Sequence, residues 1–213
     1  MSVAALLLAD GRTPTGGYAH SGGLEAAGDV DVPAFLRARL ATVGRVEAIA
    51  AVMAAGARHV DALLDLEEEL AARTPSAPAR AASRTLGLAL LRTARRLWPV
   101  DALLAEYAGA AVTAARPVAL GVAARAGGLD RVGVARLSLY EDAATVASAA
   151  PKLLAVDAAD TAAWLAALGP AIETAAGEAV ARAVLGTLPS ASTPLLDVRA
   201  ERHHREPRRL FAS

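Results

Sequence analysis

Apolar residues recur at three- and four-residue spacing along most of the chain. No stretch alternates apolar and polar positions long enough to make a strand. The spacing predicts helix after helix, separated by proline, glycine or aspartate. Ser2 to about Ala9 is a short apolar helix, and after a loop helix resumes near Tyr18 and ends near Gly28. Asp31 is placed to cap the next helix, with Pro33 in its first turn, where a missing N–H costs little. Val32, Leu36, Leu40 and Val43 share a buried face, Gly44 marks a bend, and Val46–His59 continues as an almost wholly apolar helix. Asp61–Arg73 sets Leu63, Leu66 and Leu70 on one side and Asp65, Glu67 and Glu68 largely on the other. Glu69 and Arg73 stand four apart, where they can pair.

Thr74–Pro78 is a break. Ala79–Trp98 is strongly periodic: Leu86, Leu90 and Leu97 fall on one face, Arg84, Arg92, Arg95 and Arg96 on the opposite one. That arginine face reads either as solvated surface or as a docking surface for an acidic partner. Pro99 ends the helix, and Asp101–Ala115, Pro117–Ala126, Asp130–Ala149, Asp157–Leu168 and Pro170–Leu188 follow. In the last of these, Ala176, Ala179, Ala183 and Gly186 form a small-residue ridge suited to a close helix contact, in the core or between subunits. The pattern changes at Pro189: Ser190, Ser192, Thr193 and Pro194 read as a linker, and Arg199–Arg209 holds five arginines against two glutamates. The expected architecture is all-α: a single-domain multi-helix bundle over 1–188, opening with a short helix and loop, then an irregular C-terminal tail over 189–213.

Composition narrows the function. The chain has 213 residues, 54% hydrophobic but only 3% aromatic, so its core must be built from alanine, leucine and valine. The formal net charge is zero, which offers no long-range attraction to nucleic acid or an anionic membrane. Lys152 is the only lysine. The absence of cysteine excludes disulfides and thiolate metal sites and fits a cytoplasmic protein. The start, MSVAALLLAD, lacks a basic n-region, and the longest uncharged run, Ala183–Leu196, is broken by Pro189 and Pro194. Neither a signal peptide nor a membrane span is expected.

Candidate chemistry concentrates in Thr13–Glu25 (TPTGGYAHSGGLE). Ala19–Gly23 (AHSGG) is close to the hydrolase elbow G-x-S-x-G, but the preceding Ala4–Leu8 lacks the β-branched run of a strand. Gly17 and Gly22 have the separation of a phosphate loop, but Gly23-Leu24 stands where lysine and serine or threonine are needed. The remaining reading is structural, with Pro14, Gly16 and Gly17 turning the chain sharply between helices. For His20 the residues leave open a partner contact, a satisfied buried histidine or, less favoured, a metal ligand. His203 and His204 are adjacent and neither a helix nor a strand aims both at one ion. Glu25 has no second carboxylate fixed near it by spacing. No catalytic residue, metal site or cofactor is assigned, and the chain is not expected to be an enzyme.

The same stretch carries a family likeness. Asp10, Pro14, Gly16, Tyr18, His20, Ser21, Gly23, Leu24 and Glu25 fit the pattern D-x3-P-x-G-x-Y-x-H-S-x-G-L-E, which resembles the N-terminal signature of the urease accessory protein F (UreF) family. Arg202, His203, Arg209, Leu210, Phe211 and Ser213 are similar to that family's closing R-H-x5-R-L-F-x-S. Ala79–Leu97 and Arg116–Gly128 resemble its middle segments. The likeness lapses at Lys152–Asp160, where relatives carry a glutamine-containing stretch and this chain has no glutamine at all. The resemblance implies an all-α, homodimeric, non-enzymatic factor for urease maturation. Its partners would be accessory protein D (H in some species), the accessory GTPase G and apo-urease, with nickel inserted when GTP is hydrolysed. It casts Pro14, Gly16, Tyr18, His20, Ser21, Gly23, Leu24, Glu25, Arg202, His203, Arg209, Leu210 and Phe211 as partner-binding residues. On this view the tail is loose in the free protein and orders on accessory protein D/H; the alternative is that it folds back onto its own helices. A second function class, an all-helical transcription regulator, lacks both net positive charge and the Asn or Gln side chains that read adenine.

Overall fold

Short polar residues placed just before apolar runs start most of the helices. The computed structural model describes residues 2–15, 17–207 and 210–211. In chain order it contains α1 (Val3–Ala9), a 3-10 turn (Gly17–Ala19), α2 (Leu24–Ala27), α3 (Val32–Ala41), α4 (Val43–Gly56), α5 (Val60–Ala72) and α6 (Ala77–Leu97). There follow α7 (Ala102–Ala110), α8 (Arg116–Ala126), α9 (Arg131–Leu153), α10 (Ala158–Ala183) and α11 (Pro194–His204), with no strand among the described residues. Ser2, Asp31, Ser76, Asp101, Asp130 and Asp157 each accept a first-turn backbone N–H, at α1, α3, α6, α7, α9 and α10. Each such cap is worth about 1 kcal/mol.

The centre is built from α4, α8 and α9, with α10 laid along α9 and α4. In α8 every residue from Pro117 to Ala124 is buried, and in α4 so are Ala48–Val52 and Ala54. Small side chains make this possible. A Cβ on Gly121 would stand 2.1 Å from the Ala51 carbonyl oxygen, so α4 and α8 touch backbone to backbone there. Gly87 of α6 meets the Ala114 carbonyl oxygen in the same way, at 1.9 Å from an added Cβ.

Several boundaries differ from the sequence reading: the helix expected from Tyr18 to Gly28 is a 3-10 turn at Gly17–Ala19 and a separate α2, and α7 stops at Ala110 rather than Ala115. The bend before α4 falls at Thr42, and Gly44 lies buried inside the helix. Pro170 does not divide α10, which runs unbroken from Ala158 to Ala183. A mid-helix proline costs about 3 kcal/mol; the buried stripe Leu168, Ile172, Ala176 and Ala179, packed toward α9, holds the helix together across it. Of the small-residue ridge, Ala176 and Ala179 belong to the core, while Gly186 lies beyond the helix at a φ of +69°. The region after Pro189 is not wholly irregular, because Thr193 and Pro194 open α11. Leu196, Ala200 and His203 form its inward face, too sparse an apolar stripe to announce a helix. The link into α11 is fixed from α5, where Arg73 donates to the carbonyls of Leu188 at 3.0 Å and Pro189 at 3.2 Å and pairs with Glu69 at 2.8 Å.

Candidate functional site

The turn that carries the serine and histidine is shaped by left-handed glycines. Gly22 has φ +60° and Gly23 φ +84°, conformations that a side chain would strain. They swing the chain into α2, whose first turn is steadied by Ser21: its Oγ accepts the Glu25 N–H at 3.3 Å. Ser21 is fully buried and His20 nearly so. Burial first, and then the nearby Arg116 guanidinium, holds His20 below the usual histidine pKa. Upstream, the Thr13 hydroxyl donates to the Leu7 carbonyl at 2.6 Å and the Pro14 carbonyl accepts from Thr93 of α6 at 3.1 Å. Pro14 and Tyr18 face solvent, Tyr18 with 68% of its surface exposed. Leu24 is buried.

Glu25 brings the two ends of the chain together. Its carboxylate accepts the backbone N–H of Leu210 at 2.7 Å and of Phe211 at 2.9 Å. His203, buried on α11, lies with Nε2 3.2 Å from Glu25 and Nδ1 3.2 Å from Glu206. Phe211 is 5% exposed and joined to the core, with Lys152 Nζ 5.4 Å from the centroid of its ring. The tail therefore packs in cis rather than standing loose. Phe211 removes apolar surface from water, and one carboxylate satisfies two chain-end donors that would otherwise need water. Leu210 and Arg202 point outward. Gly16 and Arg209, with Arg208 and Ser213, lie outside the described residues.

Beneath the glycine turn lies a set of charges only partly open to solvent, which helical periodicity missed. Arg39 donates to the Gly22 carbonyl at 2.7 Å and pairs with Asp142 of α9. Arg116, at the start of α8, pairs with Glu141 at 2.8 Å. Burial and the Asp142 charge push Glu47 up to about 7, against the pull of Arg39 and Arg116. Arg39, Glu47, Arg116 and Asp142 line a cavity of about 230 Å³ that also reaches His20 and His203. The sequence did hold a signal: Glu141-Asp142 interrupts the apolar face of α9. Glu67, assigned above to a polar face, is likewise structural; it accepts the Tyr107 hydroxyl and the Ala115 N–H at 2.8 Å. Among the described residues no three His, Asp or Glu side chains gather as a metal site, and no helix is long and apolar enough to cross a membrane. The arginines of α6 predicted to share a face, Arg84, Arg92, Arg95 and Arg96, are all exposed.

Comparison with known proteins points the same way as the two ends. A family model described as UreF matches residues 27–169. The chain is 43% identical over 216 residues to the urease accessory protein UreF of Mycolicibacterium vanbaalenii, covering 98% of this chain and 97% of that protein. It is 39% identical over 216 residues to the protein of that name from Mycobacterium sp. strain JLS, covering 98% and 97%. For that of Mycobacterium tuberculosis strain H37Rv the identity is 39% over 224 residues, covering 100% and 99%.

Proposed function

The chain belongs to the UreF family, and we propose that it serves as a urease accessory protein, a cytoplasmic, non-enzymatic factor in the loading of nickel into apo-urease. In this reading it works as a homodimer, binds accessory protein D/H and brings in the accessory GTPase G, whose GTP hydrolysis accompanies transfer of the nickel cargo. Residues 189–213 and the Pro14–Glu25 signature supply the contact with accessory protein D/H.

One observation supports this most directly: Glu25 of the signature holds Leu210 and Phe211 of the tail. Two segments far apart in sequence form one surface. Because Phe211 is anchored while Leu210 faces solvent with 62% exposure, the epitope is already ordered. Binding then avoids the ordering cost of a loose tail, ~1–2 kcal/mol per residue.

Co-expression with accessory protein D/H tests the reading. Leu210→Asp and Tyr18→Ala change exposed groups and should leave circular dichroism unchanged, yet lower co-purification and urease activation in a nickel-supplied host. Wild-type yields of the complex from the Leu210→Asp, Tyr18→Ala double variant would refute this surface.

A further inference from the structure

We infer that the groove between α1 and the C-terminal half of α6 is a docking site for an acidic amphipathic helix of a partner protein. The groove lies away from the tail and shares only Pro14 with the signature surface described above.

The groove has a volume of about 540 Å³. Leu7, Pro14, Ala89 and Leu97 give it apolar walls, and Arg92 and Arg96 stand along it one helical turn apart. Leu7 and Leu97 are 41% and 39% exposed, and Leu6 and Val3 extend the apolar surface along α1. Such a strip of large side chains beside cationic groups suits a ligand with one apolar and one anionic face.

Charge fixes the kind of partner. Within Ala77–Leu97 there are five arginines and no carboxylate, although the whole chain has zero net charge. The acids nearest in sequence to the groove-lining segments are already engaged: Asp10 pairs with Arg12 at 2.9 Å and Asp101 with Arg125. Among the described residues no carboxylate pairs with Arg92, Arg95 or Arg96. An incoming helix with leucines at i, i+3, i+4 and i+7 can fill the groove while flanking glutamates meet the guanidinium groups. Nucleic acid would use the arginines but leave the apolar walls uncovered, so a protein helix satisfies more of the surface.

Fluorescence anisotropy on the full chain tests this. The probe is a labelled synthetic helix of about 18 residues with that leucine spacing and glutamate flanks. Controls are the same helix with lysine flanks and a single-stranded oligoribonucleotide. The glutamate helix should bind saturably, and more weakly as salt rises. Affinity should fall roughly tenfold in Arg92→Glu/Arg96→Glu and in Leu7→Asp/Leu97→Asp. Arg58→Glu, an exposed site on the α4–α5 link, should bind as wild type. Far-UV circular dichroism checks each fold; if a charge-reversed variant loses helix, Arg92→Gln/Arg96→Gln replaces it. Equal binding of the lysine helix, insensitivity to the groove variants, or absence of saturable binding overturns the proposal. Tighter binding of the oligoribonucleotide overturns it in favour of nucleic acid.

Discussion

Arginine occupies two opposite settings in this chain. Arg39 and Arg116 are held inside, beneath the glycine turn, each against a carboxylate of α9. Arg84, Arg92, Arg95 and Arg96 stand in water along α6. The same side chain does unlike things because its surroundings differ in dielectric and in partners. Inside, a guanidinium is tolerable only while its carboxylate and carbonyl acceptors are present, so it commits the fold to one arrangement of α3, α8 and α9. Outside, it contributes little to stability, which leaves it available for binding. A residue of the first kind constrains the site from below, and a residue of the second kind can meet a partner from above.

The sharpest break of this comparison is Asp142→Ala. It strands the Arg39 guanidinium, whose other acceptor is the Gly22 carbonyl. Removing one partner of a buried pair costs about 3–5 kcal/mol, read from the shift in a urea unfolding curve. Replacing the pair together, Arg39→Met with Asp142→Leu, should recover most of that loss. A single variant that costs under about 1 kcal/mol would mean that water screens the pair as it screens a surface one.

Proton binding sharpens the same point. Glu47 is pushed up to about 7 in the folded chain, first by burial and then by Asp142, from an ordinary value of 4.5. Its folded state therefore holds the proton over a range where the unfolded state has lost it. The stability this confers is full below about pH 4.5 and is lost as pH rises through about 7. His20, lowered from 6.5, works in the opposite sense, favouring the folded state above its ordinary value and losing that contribution as pH falls. The difference between wild type and Glu47→Gln isolates the first effect. The glutamine variant should gain on wild type between pH 5 and pH 8, by at most about 3 kcal/mol. A difference that does not vary with pH would place Glu47 in ordinary solvent.

Much of this was legible beforehand, but selectively. Leu63, Leu66 and Leu70 stood out by period, and Asp31 by its place before an apolar run, because both signals are local. The arginine face of α6 was visible for the same reason. The pairing of Glu141 and Asp142, and the place of Glu47 beside them, were not, since a break in a helical period does not say which counter-charge on another helix a charge will find. The cis packing of the tail was hidden too. It depends on Glu25 meeting Leu210 and Phe211 across 185 and 186 residues. Pro170 misled because the local rule for proline is strong and the compensation, a stripe of contacts toward α9, is tertiary.

The tail lies between the two arginine settings, anchored but terminal. Glu25→Ala removes the acceptor of two backbone donors, at about 1–3 kcal/mol of local stability. A chain end can open without global unfolding. Hydrogen exchange and tryptic cleavage at Arg202 and Arg205 should therefore accelerate, while the global unfolding midpoint moves less. An unchanged cleavage rate would mean that the Phe211 ring alone holds the segment.

The smallest effect belongs to the exposed arginines. Arg92 has no carboxylate partner among the described residues and projects from α6 before its last turn, so Arg92→Glu should change stability by no more than about 0.5 kcal/mol. Arg95 differs in one respect: it lies in the last turn, where a cation meets the negative end of the helix. Arg95→Glu reverses that interaction and should cost about 0.3–1 kcal/mol at low salt. In 1 M salt the Debye length is about 3 Å, and the difference between the two variants should fade. The loss from Asp142→Ala should largely persist in the same salt, because only 12% and 10% of the Arg39 and Asp142 side chains meet solvent. Losses of several kcal/mol at Arg92 would mean that this face is already engaged by its own chain. A dependence on salt at Asp142 as steep as that at Arg95 would mean that the interior pair is wet. Either result would remove the contrast between arginines that fix the fold and arginines that are open to a partner.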